Sequence, residues 1–244
     1  PVHLKELQQA LASGDFDAKT QTIGEQTLRP SIETILHALM PQKVVVHLHA
    51  INALSHLVRK DCQPSINAIC QKAGIKNTFV SYHKPGPQLA KAIHQALAEK
   101  AEANVIFLKN HGIVIGGNSI EEVKSLLKVI DTIFSQPQTN TSDLGSKISQ
   151  IDHPENSYTL FHDNEVQALA LNRQLFKRLK HDWVLYPDHA VFLGANANVY
   201  STWMDFHAQP EGNHPELIFI KDVGVFVKPE FNKAKTAQLR CYYD

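Results

Sequence analysis

Leu4, Leu7 and Leu11 recur at helical spacing and stop at Ser13-Gly14, which predicts a short amphipathic helix with a glycine terminator. Residues 14 to 28 are polar and read as loop. Arg29-Pro30 opens a second predicted helix, because Ile32, Ile35, Leu36 and Leu39 form one apolar stripe and proline fits a first turn; Pro41 ends it. Lys43-Val44-Val45-Val46-His47-Leu48-His49 is a β-branched run suited to a buried strand. Helices are predicted around Ile51 to Val58 and over residues 64 to 73, the latter ended by Gly74. Thr78 to Tyr82, Asn104 to Leu108 and Ile113 to Ile115 read as strands. Helices fill the intervals from Pro85-Gly86-Pro87 through Lys100 and from Ser119 to Phe134. This alternation implies an α/β sandwich.

Gln136 to Ser149 is rich in glutamine, threonine, asparagine and serine, with little to bury, so residues 136–157 are expected to be a linker. It divides a core at residues 1–135 from a smaller C-terminal α/β unit at residues 158–244. Within that unit Asn164 to Lys180 is helical in pattern, and Trp183 to Leu193 is strand-like around Pro187. Leu217 to Ile220 and Gly224 to Val227 read as short strands, and Lys233 to Tyr243 as a closing helix. Phe226, Phe231, Tyr242 and Tyr243 are expected in its core or in oligomer contacts. No internal repeat is visible along the chain.

Composition narrows the partners. The 244 residues contain 24 Lys plus Arg and 24 Asp plus Glu, so no net field draws the chain to nucleic acid or to an anionic membrane. The longest apolar runs, such as Val44 to Val46 and Val105 to Leu108, fall far short of the roughly 20 residues of a membrane helix. Cys62, Cys70 and Cys241 form no C-x-x-C pair and are odd in number, which argues against a disulfide framework and for a reducing cytoplasm. The first residues show no secretory signal. They also lack an initiator methionine, so an N-terminal part of the core is expected to precede Pro1.

The candidate chemistry lies in histidines. Residues two apart on a strand share a face, so His47 and His49 project side by side and can converge on one ion. A third nitrogen could come from His111, in the glycine turn Asn110-His111-Gly112. Three protein ligands leave one position of a tetrahedral zinc open, the mark of a catalytic rather than a structural site. Imidazoles also suit iron, cobalt, nickel and copper. In a chain with 14 histidines, spacing alone leaves a packed, hydrogen-bonded core pair equally open.

Three blocks in order carry more. Arg29-Pro30-Ser31-Ile32-Glu33, Val44 to His49 and Leu108-Lys109-Asn110-His111-Gly112 resemble the class II aldolase/adducin family over residues 29 to 134. The wording of these blocks, with Lys84-Pro85-Gly86 and Tyr186 to Gly194, looks closest to the bacterial branch that resembles rhamnulose-phosphate aldolases and is sometimes fused to a short-chain dehydrogenase. The resemblance implies an α/β/α sandwich, a zinc ion (Zn2+) held by His47, His49 and His111, and a homo-oligomer, usually a tetramer with sites between subunits. It further implies that Glu33 acts as acid/base and that Tyr82, in Val80-Ser81-Tyr82, protonates the departing fragment at a neighbour's site. A small sugar or sugar phosphate is then the expected substrate, cleaved by a retro-aldol reaction through a metal-stabilised enediolate.

Without the resemblance, Glu33 would read as a first-turn glutamate favouring the helix dipole. His37, one turn further, would be a partner for Glu33, a pocket residue or simply packed. The Gly-Asn-Ser/Thr and Ser-Gly phosphate loops of the family do not occur between Pro1 and Arg29, so phosphate specificity has no support in the chain. No G-x-G-x-x-G is present, and no nicotinamide cofactor is expected. The alternatives are an epimerase or dehydratase using the same site, and a non-catalytic, adducin-like assembly module. Asp188-His189 reads as a structural or surface pair.

Overall fold

The computed structural model describes residues 1–136, 157–210 and 214–244. They belong to two compact units, Pro1–Gln136 and Pro137–Asp244. Apart from its two end residues, the segment expected as a linker lies outside the described residues.

The first unit is mixed α/β. Strands β1 (Val44–Leu48), β2 (Asn77–Val80), β3 (Val105–Leu108) and β4 (Gly112–Gly117) form one sheet in the order β1-β4-β3-β2. β4 is antiparallel to β1 and β3, and β2 is parallel to β3, so β1, β2 and β3 end at the same end of the sheet. The helices are α1 (Leu4–Ala12), α2 (Thr34–Leu39), α3 (Ile51–Leu57), α4 (Cys62–Lys72), α5 (Pro87–Glu99) and α6 (Ile120–Ile133).

Alternate side chains of the central strands feed two separate cores. Ile106, Leu108 and Val114 pack with Leu7, Leu11, Leu36, Leu89 and Ile93 from α1, α2 and α5. Val105, Phe107, Ile113 and Ile115 pack with Leu57, Ile66, Cys70 and Ile130 from α3, α4 and α6. Both faces being covered, β3 and β4 are apolar throughout rather than alternating. Cys62 and Cys70 lie in the second core, and burial pushes the Cys70 thiol up to about 12. A thiol reagent at neutral pH is therefore expected to label neither in the native protein and both after denaturation, as read by mass spectrometry. Labelling of native Cys70 at the rate of a free thiol would contradict this packing.

The second unit has strands β5 (Thr159–Leu160), β6 (Val199–Tyr200), β7 (Leu217–Ile220) and β8 (Gly224–Val227), in the order β5-β8-β7-β6. Its described helices are α7 (Ala168–Leu171), α8 (Arg173–Leu179), α9 (Pro187–Leu193), α10 (Trp203–His207) and α11 (Lys233–Tyr243). Phe226 is buried with Tyr158, Phe206, Ile218 and Ile220, while Phe231, Tyr242 and Tyr243 pack on a second cluster around Phe219 and Leu239. His189 is buried edge-on against Tyr186 and Tyr242, the structural setting expected for it.

Several local expectations are corrected. The predicted strand from Trp183 to Leu193 is helix α9 from Pro187 onward, because Pro187 pre-sets the first helical turn and Asp188 follows in it. The single helix expected from Asn164 to Lys180 is broken at Asn172, whose extended backbone frees its side chain to accept the N–H groups of Gln174 and Leu175 and start α8. α2 begins at Thr34 rather than at Arg29-Pro30; Ile32, the first residue of the apparent stripe, is 67% exposed. β1 is an edge strand whose residues are all partly buried. β5, β6 and α10 are too short to show a period, although Thr202 and Asp205 form a capping box at the start of α10. Among the described residues no helix is long and apolar enough to cross a membrane.

Candidate metal centre

The topology brings the three histidines together. His47 lies near the end of β1 and His49 just beyond it, while the turn from β3 to β4, which carries His111, opens at the same end of the sheet. The ring centroids lie 5.0 Å apart for His47 and His49, 4.9 Å for His47 and His111, and 5.3 Å for His49 and His111. Glu33 enters from the residue preceding α2. One ligand atom from each of the four residues lies within 4.8 Å of all the others.

Gly112 permits this approach. A Cβ added there would stand 2.5 Å from the Leu48 carbonyl oxygen and 2.9 Å from Cδ2 of His49, so only glycine lets the start of β4 pass so close to the end of β1. Asn110 takes the left-handed backbone of the turn, with φ at 50°, a conformation asparagine tolerates.

Lys109, which sequence reasoning passed over, anchors the turn from outside. Its ammonium donates to the carbonyl oxygens of Leu57, at 2.8 Å, and Arg59, at the carboxyl end of α3 where a cation is favoured. A lone lysine beside a glycine turn carries no signal of its own in sequence. Lys109→Met is expected to lower stability by about 1–3 kcal/mol through these charge-assisted bonds, measurable by urea unfolding. A loss below a few tenths would show that the ammonium is not an anchor.

The hydrogen bonds orient the donors. His47 Nδ1 lies 3.0 Å from the Ile113 carbonyl oxygen, which can only accept, so Nδ1 carries a proton and Nε2 is the nitrogen turned to the centre. That Nε2 is buried and stands 3.5 Å from Glu33 Oε1. His111, 2% exposed, places Nε2 2.7 Å from the same oxygen. These contacts, His111 first and His47 second, hold the Glu33 carboxyl well below the usual carboxylate range, against its partial burial. Glu33 therefore does not serve α2 as a dipole partner; its side chain makes no cap and turns to the histidines.

The donor set fits a divalent transition metal. Metal–nitrogen bonds of about 2.0–2.1 Å put tetrahedral ligand atoms roughly 3.4 Å apart, and the ligand atoms here, from the 2.7 Å Glu33–His111 contact up to 4.8 Å, bracket that spacing. Three imidazoles with one carboxylate suit zinc as well as its neighbours.

The remaining candidates lie outside this cluster. His37 Nδ1 is 3.2 Å from the Val45 carbonyl oxygen and ties α2 to β1, so it is not a partner of Glu33. Tyr82 is 49% exposed, two residues beyond β2, which is three strand positions from β1, or roughly 14 Å at ordinary strand spacing. Pro85-Gly86-Pro87 forms the turn into α5, with Pro87 in its first turn.

The chain is similar in part to several known proteins. The uncharacterized oxidoreductase YuxG of Bacillus subtilis (strain 168) is 34% identical over 94 residues, covering 38% of this chain and 13% of that protein. A methylthioribulose-1-phosphate dehydratase of Exiguobacterium sibiricum is 28% identical over 134 residues, covering 49% of this chain and 64% of the relative. The solved N-terminal class II aldolase domain of a conserved protein from Thermoplasma acidophilum is 28% identical, with a TM-score of 0.42, over 52% of this chain and 62% of the other. The chain thus spans less than two thirds of the length of each. The model of the class II aldolase and adducin N-terminal domain matches residues 4–136, and the chain belongs to that family.

Proposed function

We propose that the chain is a metal-dependent lyase, with zinc as its ion, that cleaves a hydroxy-ketone sugar or sugar phosphate by a retro-aldol reaction. The observation that carries this reading is the convergence of three imidazoles and an ionised carboxylate within 4.8 Å. When bound, the ion supplies Lewis acidity toward a ketone oxygen. The chain's own part follows from its geometry. His47, held from behind by the Ile113 carbonyl, and His49 and His111 would hold the ion, and Glu33 Oε1 is placed to move a proton at a substrate carbon or hydroxyl.

On this reading residues 1–135 are an α/β/α sandwich of class II aldolase type and residues 158–244 a separate α/β unit. The protein works in the cytoplasm as a homo-oligomer, in which Tyr82, exposed and outside the cluster, protonates the departing fragment at a neighbouring subunit's site.

The likeness to methylthioribulose-1-phosphate dehydratases supports a second reading, removal of water from a sugar phosphate by the same groups. One experiment separates the two. Zinc-loaded protein is incubated with a panel of hydroxy-ketone sugars and their phosphates, and products are read by mass. Triose or aldehyde fragments support cleavage, and loss of water with the carbon chain intact supports the dehydratase. No turnover with metal fully loaded overturns both. Substoichiometric zinc binding favours an adducin-like binding module, which has no physical need for convergent imidazoles and a carboxylate.

A further inference from the structure

The two sheets share one plan. In each, the first strand pairs antiparallel with the last, the last antiparallel with the third, and the third parallel with the second. The correspondence reaches single residues at the hairpins β3–β4 and β7–β8. Residues 104–116 match 216–228 without a gap, and Ile106, Phe107, Lys109 and Gly112 recur as Ile218, Phe219, Lys221 and Gly224. Asn110 and Asp222 both take positive φ, 50° and 58°.

The backbone bonds around the two turns also repeat. Lys109 N–H donates to Val80 O at 2.9 Å, and Lys221 N–H to Tyr200 O at 2.9 Å. Asn110 N–H reaches Leu57 O at 3.3 Å, and Asp222 N–H reaches Ala170 O at 3.1 Å. His111 N–H bonds Leu108 O, and Val223 N–H bonds Ile220 O, both at 3.1 Å. At the far end Gly116 N–H meets Asn104 O at 2.8 Å, and Lys228 N–H meets Glu216 O at 2.9 Å. A hairpin by itself dictates the bonds inside it. It does not dictate that the same turn positions be held by the second strand of the sheet and by the first helix after its first strand.

We infer that the second unit is a duplicate of the metal-binding unit that has lost its metal. The register assigns the ligand positions: His47 lies opposite Val114, and Leu160 lies opposite Phe226, the counterpart of Val114. Leu160 therefore stands where His47 does, His162 where His49 does, and Val223 where His111 does. One of the three imidazoles is kept, and two aliphatic side chains replace the others, so the second unit has no metal site at the corresponding positions. Outside the hairpin the repeat does not show in sequence, because the loops between strands differ in length and β5 and β6 contain two residues each.

The test rebuilds the lost site. It rests on the metal reading of the first unit only for the ligand pattern that it copies. In a background of His47→Ala and His111→Ala, Leu160→His with Val223→His is expected to take up one equivalent of zinc by calorimetric titration, and His162→Ala to remove it again. A folded protein, by circular dichroism, that takes up none overturns the duplication. Should that variant fail to fold, Val223→His alone in the otherwise native chain is read instead by its melting temperature. Val223→His then forms with His162 the counterpart of the His49 and His111 pair. Zinc is expected to raise its melting temperature beyond the native chain's response, and His162→Ala to abolish the excess; no excess overturns the inference. Failure of the native chain to bind zinc would strike the proposed function and the ligand pattern copied from it, whereas zinc uptake by the native chain with none by the rebuilt unit strikes the duplication alone.

Discussion

His47→Ala is expected to leave the fold in place while removing the bound ion and, with it, turnover. The side chain is partly buried at the sheet edge, and its one firm protein contact is the hydrogen bond to the Ile113 carbonyl, so the stability lost is about 1 kcal/mol. The metal term is far larger. Groups that merely orient a ligand from behind are worth about 10–100-fold in metal affinity, and a direct donor exceeds that. Equilibrium dialysis with zinc, the product assay and a thermal melt give the three readings together. Unchanged zinc affinity would remove His47 from the donor set.

The second large effect is expected from Gly112→Ala. The added methyl would meet the Leu48 carbonyl oxygen and the His49 ring, and neither can retreat freely, because one is strand backbone and the other is part of the cluster. Overpacking of this kind costs about 1–3 kcal/mol, and displacement of the His49 ring adds a loss of zinc affinity of more than about tenfold. Gly116→Ala is the control. Its methyl would meet the ends of the Gln42 and Met40 side chains, which can swing aside, and it lies away from the histidines. Equal loss of zinc affinity in the two variants would show that the approach at Gly112 does not set the site.

The chemistry was more legible than the architecture around it. His47 and His49 announce themselves by strand spacing, and His111 by its place in an Asn-His-Gly turn. Glu33 is different. Its position before a helix suggests a dipole partner, and only its 2.7 Å contact with His111 shows where the carboxylate goes. Lys109 and Gly112 do their work through atoms distant in sequence, the carbonyls of Leu57 and Leu48, and no local pattern encodes such contacts.

Strands buried on both faces, such as Val105 to Leu108, were readable because their apolar runs are continuous. Trp183 to Leu193 was not, because a short apolar run beside a proline satisfies strand and helix alike until packing chooses between them. The three histidines opened as a pair with a possible third, equally consistent with core packing. Residue type and spacing alone mark which residues can bind a metal and which strand ends and turn present them. That they converge is a matter of packing, because it depends on β4 lying between β1 and β3, a pairing between residues far apart in the chain. By the same pairing, the inferred duplication places His47 and Leu160, residues without visible similarity, at one position of the two sheets.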